Sequence, residues 1–145
     1  MKKLLVIILF LNIFFNVNIN AKENFFKEAK NKFDENELIE SKFLFQRNIV
    51  FNPKDSKSYL FLAKIHKLEK NEKKEIKNLK TAILLDPENE EALFMLIDIE
   101  IKKSNFSVVN NLIKDFEIIC FNLCKEMTKI NKRLKNIDTK NETKQ

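Results

Sequence analysis

The chain has 145 residues, a formal charge of +6, 14 phenylalanines, one histidine, two cysteines and no glycine. That length supports one domain. Without glycine there is no glycine-rich loop to cradle a phosphate, and the positive charge is spread over mixed Lys/Glu faces instead of one block, so neither a nucleotide cofactor nor nucleic acid is expected.

The first segment, "MKKLLVIILFLNIFFNVNINA", has two lysines, Lys2 and Lys3, then an apolar stretch interrupted late by Asn12, Asn16 and Asn18, then Ala21 before the charged "KENFFKEAK". This is the layout of a secretory signal peptide over residues 1–21, with cleavage expected after Ala21. The apolar stretch is short for a bilayer span, which needs about 20 residues. An uncleaved anchor is the competing reading. Export to the periplasm or outside the cell is the expectation, with no membrane contact after cleavage. Loss of Lys2 and Lys3 lowers the charge from +6 to +4.

The remainder is a run of amphipathic helical patterns. Phe25, Phe26, Ala29 and Phe33 share one face, and Leu38, Ser41, Phe45, Asn48 and Ile49 the next. Then come Tyr59, Leu62, Ala63 and His66, followed by Ile76, Leu79, Ala82 and Ile83. Ala92, Leu93, Leu96 and Ile97 form the fifth face, and Val109, Leu112, Ile113 and Phe116 the sixth. A last stripe is Leu123, Met127, Ile130, Leu134 and Ile137, and residues 138–145 form a polar tail expected to be disordered. No alternating strand pattern competes. The breaks are short polar clusters, which make successive helices antiparallel neighbours.

The two prolines, Pro53 and Pro87, lie 34 residues apart, each behind an Asn or Asp and ahead of a new apolar run. Proline suits the loop after a helix and disfavours helical backbone in the residue before it. Two helices and a proline turn, then the same again, is a period. Residues 56–89 read Tyr59-x2-Leu62-Ala63-x2-His66, Glu75-x3-Leu79, Ala82 and Asp86-Pro87; residues 22–55 read Phe25, Ala29, Ser41-x3-Phe45 and Asn52-Pro53. Residues 90–122 read Leu93-x2-Leu96, "SNF" and Val109-x3-Ile113, with no proline.

On these residues the chain resembles the tetratricopeptide-repeat family, whose unit is a 34-residue helix–turn–helix. The resemblance implies an all-α solenoid of three repeats (22–55, 56–89 and a divergent 90–122) with a capping helix over 123–137. Three stacked units are the practical minimum for such an array. There are departures. Ile97 stands where Ala29 and Ala63 allow close helix approach, Glu75 occupies a small-residue position, and Asn48 and Phe116 replace the alanine kept at Ala82.

Catalytic chemistry finds little support, and no enzyme, metal or cofactor is expected. His66 reads as a packed structural residue. Glu88, Glu90 and Glu91 suit the positive end of a helix dipole. Cys120 and Cys124 flank the start of the last helix. In an oxidising compartment they are either a disulfide clip, which requires a helix break around Phe121 to Leu123, or a pair of buried thiols. "NFS" at Asn105 and "NET" at Asn141 match the short glycosylation pattern.

In the resembled family the first helices of the units line a concave groove that holds a peptide or partner helix. The resemblance places Phe26, Lys30, Phe33, Leu60, Lys64, Lys67, Phe94, Asp98 and Ile101 on it. An apolar strip with lysines fits a segment with hydrophobic anchors and some negative charge. The functional expectation is therefore a non-enzymatic protein-binding scaffold of the cell envelope, with room for an oligomer. Two alternatives stay open: a redox-linked or disulfide-stabilised assembly factor using Cys120 and Cys124, and a membrane-tethered oligomeric scaffold.

Overall fold

The structure, a computed structural model, describes the backbone of residues 21–142 and the side chains of residues 25–135. The segment read as a signal peptide, Ile137 and Asn141 fall outside these limits, apart from the backbone of the last two and of Ala21. Among the described residues there are seven helices and no strand: α1 (Ala21–Asp34), α2 (Leu38–Phe51), α3 (Ser56–Leu68), α4 (Glu72–Leu85), α5 (Glu90–Lys102), α6 (Phe106–Ile119) and α7 (Glu126–Glu142). They pair as α1/α2, α3/α4 and α5/α6, and each pair packs on the next.

The turn inside each pair repeats with the period of the prolines. Asn36, Lys70 and Ser104 have positive φ, at 62°, 57° and 57°, and stand 34 residues apart. Around each, two hydrogen bonds close the end of the preceding helix. In the middle unit Lys70 N–H donates to Lys67 O (3.1 Å) and Asn71 N–H to His66 O (2.8 Å), with the equivalent pairs at Asn36/Glu37 and Ser104/Asn105. This is the Schellman closure, which satisfies carbonyls that the helix leaves unpaired. Glycine normally fills its left-handed position, and a side chain there costs about 1 kcal/mol. Lys70→Gly is therefore expected to raise the unfolding free energy by about 0.5–1 kcal/mol. Urea denaturation checks this, and a loss of stability would contradict the backbone assigned to the turn.

The second helix of each pair ends at Asn52, Asp86 and Cys120, again 34 residues apart. Pro53 and Pro87 follow the first two ends and Phe121 follows the third. In the third turn Cys120 leaves the helix with extended backbone (φ −62°, ψ 132°) and is bonded to Cys124, with their Cα atoms 5.2 Å apart. A covalent clip thus occupies the turn where the other units use proline. Residues 120–125 are spent on it, so the last helix begins at Glu126 and not at Leu123. That helix also runs on to Glu142, into the stretch expected to be a disordered tail. No proline or glycine between Asp138 and Glu142 stops it.

Three apolar clusters follow one another along the array. Phe45, Leu44 and Ala29 of the first unit meet Leu62 and Ile65 of α3. Leu79 and Ala82 meet Ala92, Met95, Leu96 and Ile99 of α5. Leu93, Ile97, Ile101, Val109 and Phe116 meet Ile130 of α7, with Leu123, Met127 and Leu134 against them. The last stripe therefore covers the third unit, while Lys125, Lys129 and Lys132 stay exposed, as an end cap requires. Ala29, Ala63 and Ile97 are all fully buried. The bulk of Ile97 has the consequence its position implies: α5 and α6 share less close backbone contact than the two preceding pairs.

Polar residues at small-residue positions are accommodated individually. Ser41 donates to Ala29 O across the α1/α2 contact (2.9 Å). Asn48 Nδ2 donates to Asp55 Oδ2 (2.6 Å) and Ser58 Oγ (2.8 Å), and Ser58 Oγ donates to the same Asp55 oxygen (2.6 Å). This partly buried triad bolts the Pro53 turn; one period on, Ala82, Asn89 and Ala92 occupy the same places with only a helix cap between the last two.

Glu75 is buried, and burial pushes its carboxyl above the ordinary range, with Lys67 and Lys102 pulling against that and Glu72 and Asp98 adding to it. The folded chain thus holds this proton more tightly than the unfolded chain. The resulting penalty is absent below the unfolded carboxyl's pKa of about 4.3 and grows as pH rises through the folded value. Glu75→Gln is expected to raise the melting temperature at pH 7 and to flatten that slope. Equal melting shifts at pH 4 and pH 7 would count against it.

Candidate functional site

The inner faces of α1, α3 and α5, together with the disulfide turn, enclose an open groove of about 980 Å³. Its apolar wall is Phe33, Leu68, Phe94 and Met95, and the turn contributes Asn122 and Leu123. Leu68 is 56% exposed, although it ends a helix whose other apolar side chains are largely buried.

Four of the nine residues expected in the groove meet there: Phe33, Lys64, Lys67 and Phe94. The others are placed differently. Phe26 stands edge-on to Phe45 (5.6 Å) and Phe61 (5.8 Å) in the first cluster. Lys30 pairs with Asp34 one helical turn on. Leu60 is buried between α3, α4 and α5, and Ile101 under α6 and α7, so both serve packing and neither is available to a partner. Asp98 is taken up by Lys102 (2.6 Å) and by Arg133 of α7. Burial alone would raise the Asp98 carboxyl, but hydrogen bonds from those two cations win and hold it below its usual range. The last helix, α7, covers the far end of α5 and draws Asp98 and Ile101 out of the groove.

Several groove residues gave little warning. Leu68 is a single apolar residue off its helix's buried face. Glu91 pairs with Lys64 (2.9 Å), whose ammonium also lies 4.6 Å from the centre of the Phe61 ring. Glu90 does more than complement a helix dipole: its carboxylate accepts from Leu123 N–H (2.7 Å) and from Asn122 N–H (3.0 and 3.2 Å). The Leu123 bond and then those to Asn122 and Phe121 hold the Glu90 carboxyl below its ordinary range. The disulfide turn is thereby fixed to the start of α5 and forms one wall of the groove.

His66 is buried and its Nδ1 lies 2.8 Å from Glu69 Oε2, a packing and pairing role. Lys42 first, and His66 second, lower the Glu69 carboxyl. Asn105 Nδ2 donates to Glu100 Oε2 (2.9 Å). Among the described residues no group of three His, Cys, Asp or Glu side chains is arranged to hold a metal ion, and no helix is long and apolar enough to cross a membrane.

The order of helices, their pairing and the 34-residue spacing of both turn types decide the architecture. The fold is an all-α solenoid of the tetratricopeptide type. Solved structures agree. The Yersinia enterocolitica type III secretion translocator chaperone SycD superposes with a TM-score of 0.71 at 15% identity, over 91% of this chain and 93% of that one. SycD in complex with a peptide of the translocator YopD gives 0.70 at 15% identity, over 87% and 98%. The CopN–Scc3 complex gives 0.63 at 12% identity, over 86% and 72%. No protein-family model matches the sequence, and no curated protein matches it.

Proposed function

We propose that this chain is a non-enzymatic binding module that holds a peptide or helix of another protein in the α1/α3/α5 groove. The observation that carries this is the groove itself: an apolar wall with one strongly exposed leucine, large enough for several side chains, on the concave face of the solenoid. One solved structure of similar fold was determined with a peptide of its partner. The residues converging here include no nucleophile–base pair that would favour an enzyme.

The leader makes the cell envelope the setting in which the module acts, as a periplasmic or secreted scaffold. Intact-mass measurement on the protein recovered from its native host would then show loss of residues 1–21, and retention of those residues would favour the tethered reading instead. Cys120 and Cys124 act as a structural clip in this account, because the turn they close is fixed to Glu90 and walls the groove.

The test is capture of envelope proteins by the full chain and by Leu68→Ser, with helicity confirmed for both. Leu68 is exposed, so its replacement leaves the core intact. A protein retained by the wild type and lost from the variant supports the groove. Equal retention by both moves the binding site elsewhere.

A further inference from the structure

The two lysines of the groove, taken alone, imply an acidic partner; the full set of charges around them does not. Lys64 is matched by Glu91 and its ammonium rests over Phe61. Across from α3 the groove carries Glu88, Glu90 and Glu91 at the start of α5 and Glu126 at the start of α7. Two helix N-termini bring about half a positive charge each. Together they offset about one of these four carboxylates. Glu90 is spent on the turn's N–H groups, and Lys129 reaches Glu126 (2.8 Å) from a largely exposed position, where such a pair is weak and replaceable. The α5/α7 side therefore presents net negative charge beside the apolar wall of Leu68, Phe94 and Met95.

Building on the peptide-groove reading, we propose that the groove selects a segment whose apolar anchor is flanked by lysine or arginine, with the cation over Glu88 and Glu126. The anchor fills the space along Leu68 and Phe94, and its basic neighbour faces the carboxylates. A segment with acidic flanks meets repulsion on that side, and on the other side it finds Lys67 alone, since Lys64 is already paired with Glu91. Each exposed pair is weak, but attraction in one case and repulsion in the other act together. The difference between otherwise identical Lys-flanked and Glu-flanked peptides is expected to be about tenfold in affinity at low salt and to shrink as salt rises.

A random peptide library would be selected on the full chain, and its enriched sequences remeasured by fluorescence anisotropy on the wild type, Leu68→Ser, Glu88→Lys and Glu126→Gln. The expected result is enriched peptides with lysine or arginine next to an aromatic or aliphatic anchor. Their binding would be weakened by Leu68→Ser and, separately, by each charge variant, with Lys→Glu changes in the peptide partly rescued on Glu88→Lys. Enriched peptides that depend on Leu68 but carry acidic or no flanking charge would overturn the charge selection and leave the groove standing. Enrichment indifferent to Leu68→Ser, or no enrichment, would overturn both. A doubled mass in light scattering that reverts to monomer in Leu68→Ser would make a second copy of this chain the occupant and likewise overturn the inference.

Discussion

Phe45→Ala is expected to lower the unfolding free energy by about 3–5 kcal/mol, the range for emptying a filled aromatic site in a core. Phe45 is fully buried, stacks on Phe61 of α3 with ring centres 5.0 Å apart, and takes the edge of Phe26 at 5.6 Å. Phe61 in turn meets Phe33 at 5.2 Å. The ring is therefore both the centre of the first unit and its main contact with the second. In a linear array, stability is close to a sum of unit and interface contributions, and this one substitution reduces both. The loss should be uneven. Amide exchange in α1 and α2 is expected to accelerate most, while α5 to α7, two interfaces away, keep their protection. Phe45→Leu, which leaves less empty volume, should cost less. A cost under about 1 kcal/mol for the alanine variant would mean that the first unit does not pack on α3 through this ring.

The same periodicity that makes such a prediction possible was legible in the sequence, and its limits there have physical causes. The proline turns announce themselves, because proline can hardly stand anywhere else in a helical chain. The turns inside the units do not. Asn36, Lys70 and Ser104 occupy the left-handed position, and lysine and serine carry no signal for it; only the shared 34-residue offset reveals the correspondence. Apolar stripes located all seven helices, since a buried helical face must recur every three to four residues. The groove was harder. Repeat register assigns equivalent positions to Leu60 and Phe94, or to Lys67 and Ile101, yet one of each pair is buried and the other lines the groove. That difference arises from what lies next to each unit: α4 and α5 close over Leu60, and α7 over Ile101. Charge was hard to read for a related reason. Glutamates at helix starts look like dipole partners in any sequence, and only the folded arrangement places those of α5 and α7 beside one another.

Opening the Cys120–Cys124 bond is expected to cost about 2 kcal/mol, the chain-entropy value for so short a loop. The larger consequence is local. The closed turn aims the N–H groups of Asn122 and Leu123 at Glu90, and α7 starts directly behind it. Without the clip these groups no longer share one fixed geometry, so the turn and α7 should loosen from α5 while the first two units are unaffected. Hydrogen exchange on the Cys120→Ser/Cys124→Ser variant would show this as lost protection at Asn122, Leu123 and the start of α7, with α1 to α4 unchanged. The groove loses one wall at the same time, so peptide affinity should fall but not vanish, since Leu68, Phe94 and Met95 stand on helices that the bond does not touch. This separates the two roles open to the cysteines. A structural clip predicts weakened binding that persists in the serine variant. A redox factor needs a thiolate as its reacting group and would lose its function outright when both sulfurs are replaced. If protection around Asn122 were the same with and without the bond, Glu90 alone would be sufficient to hold the turn, and the disulfide would have no structural role to explain it.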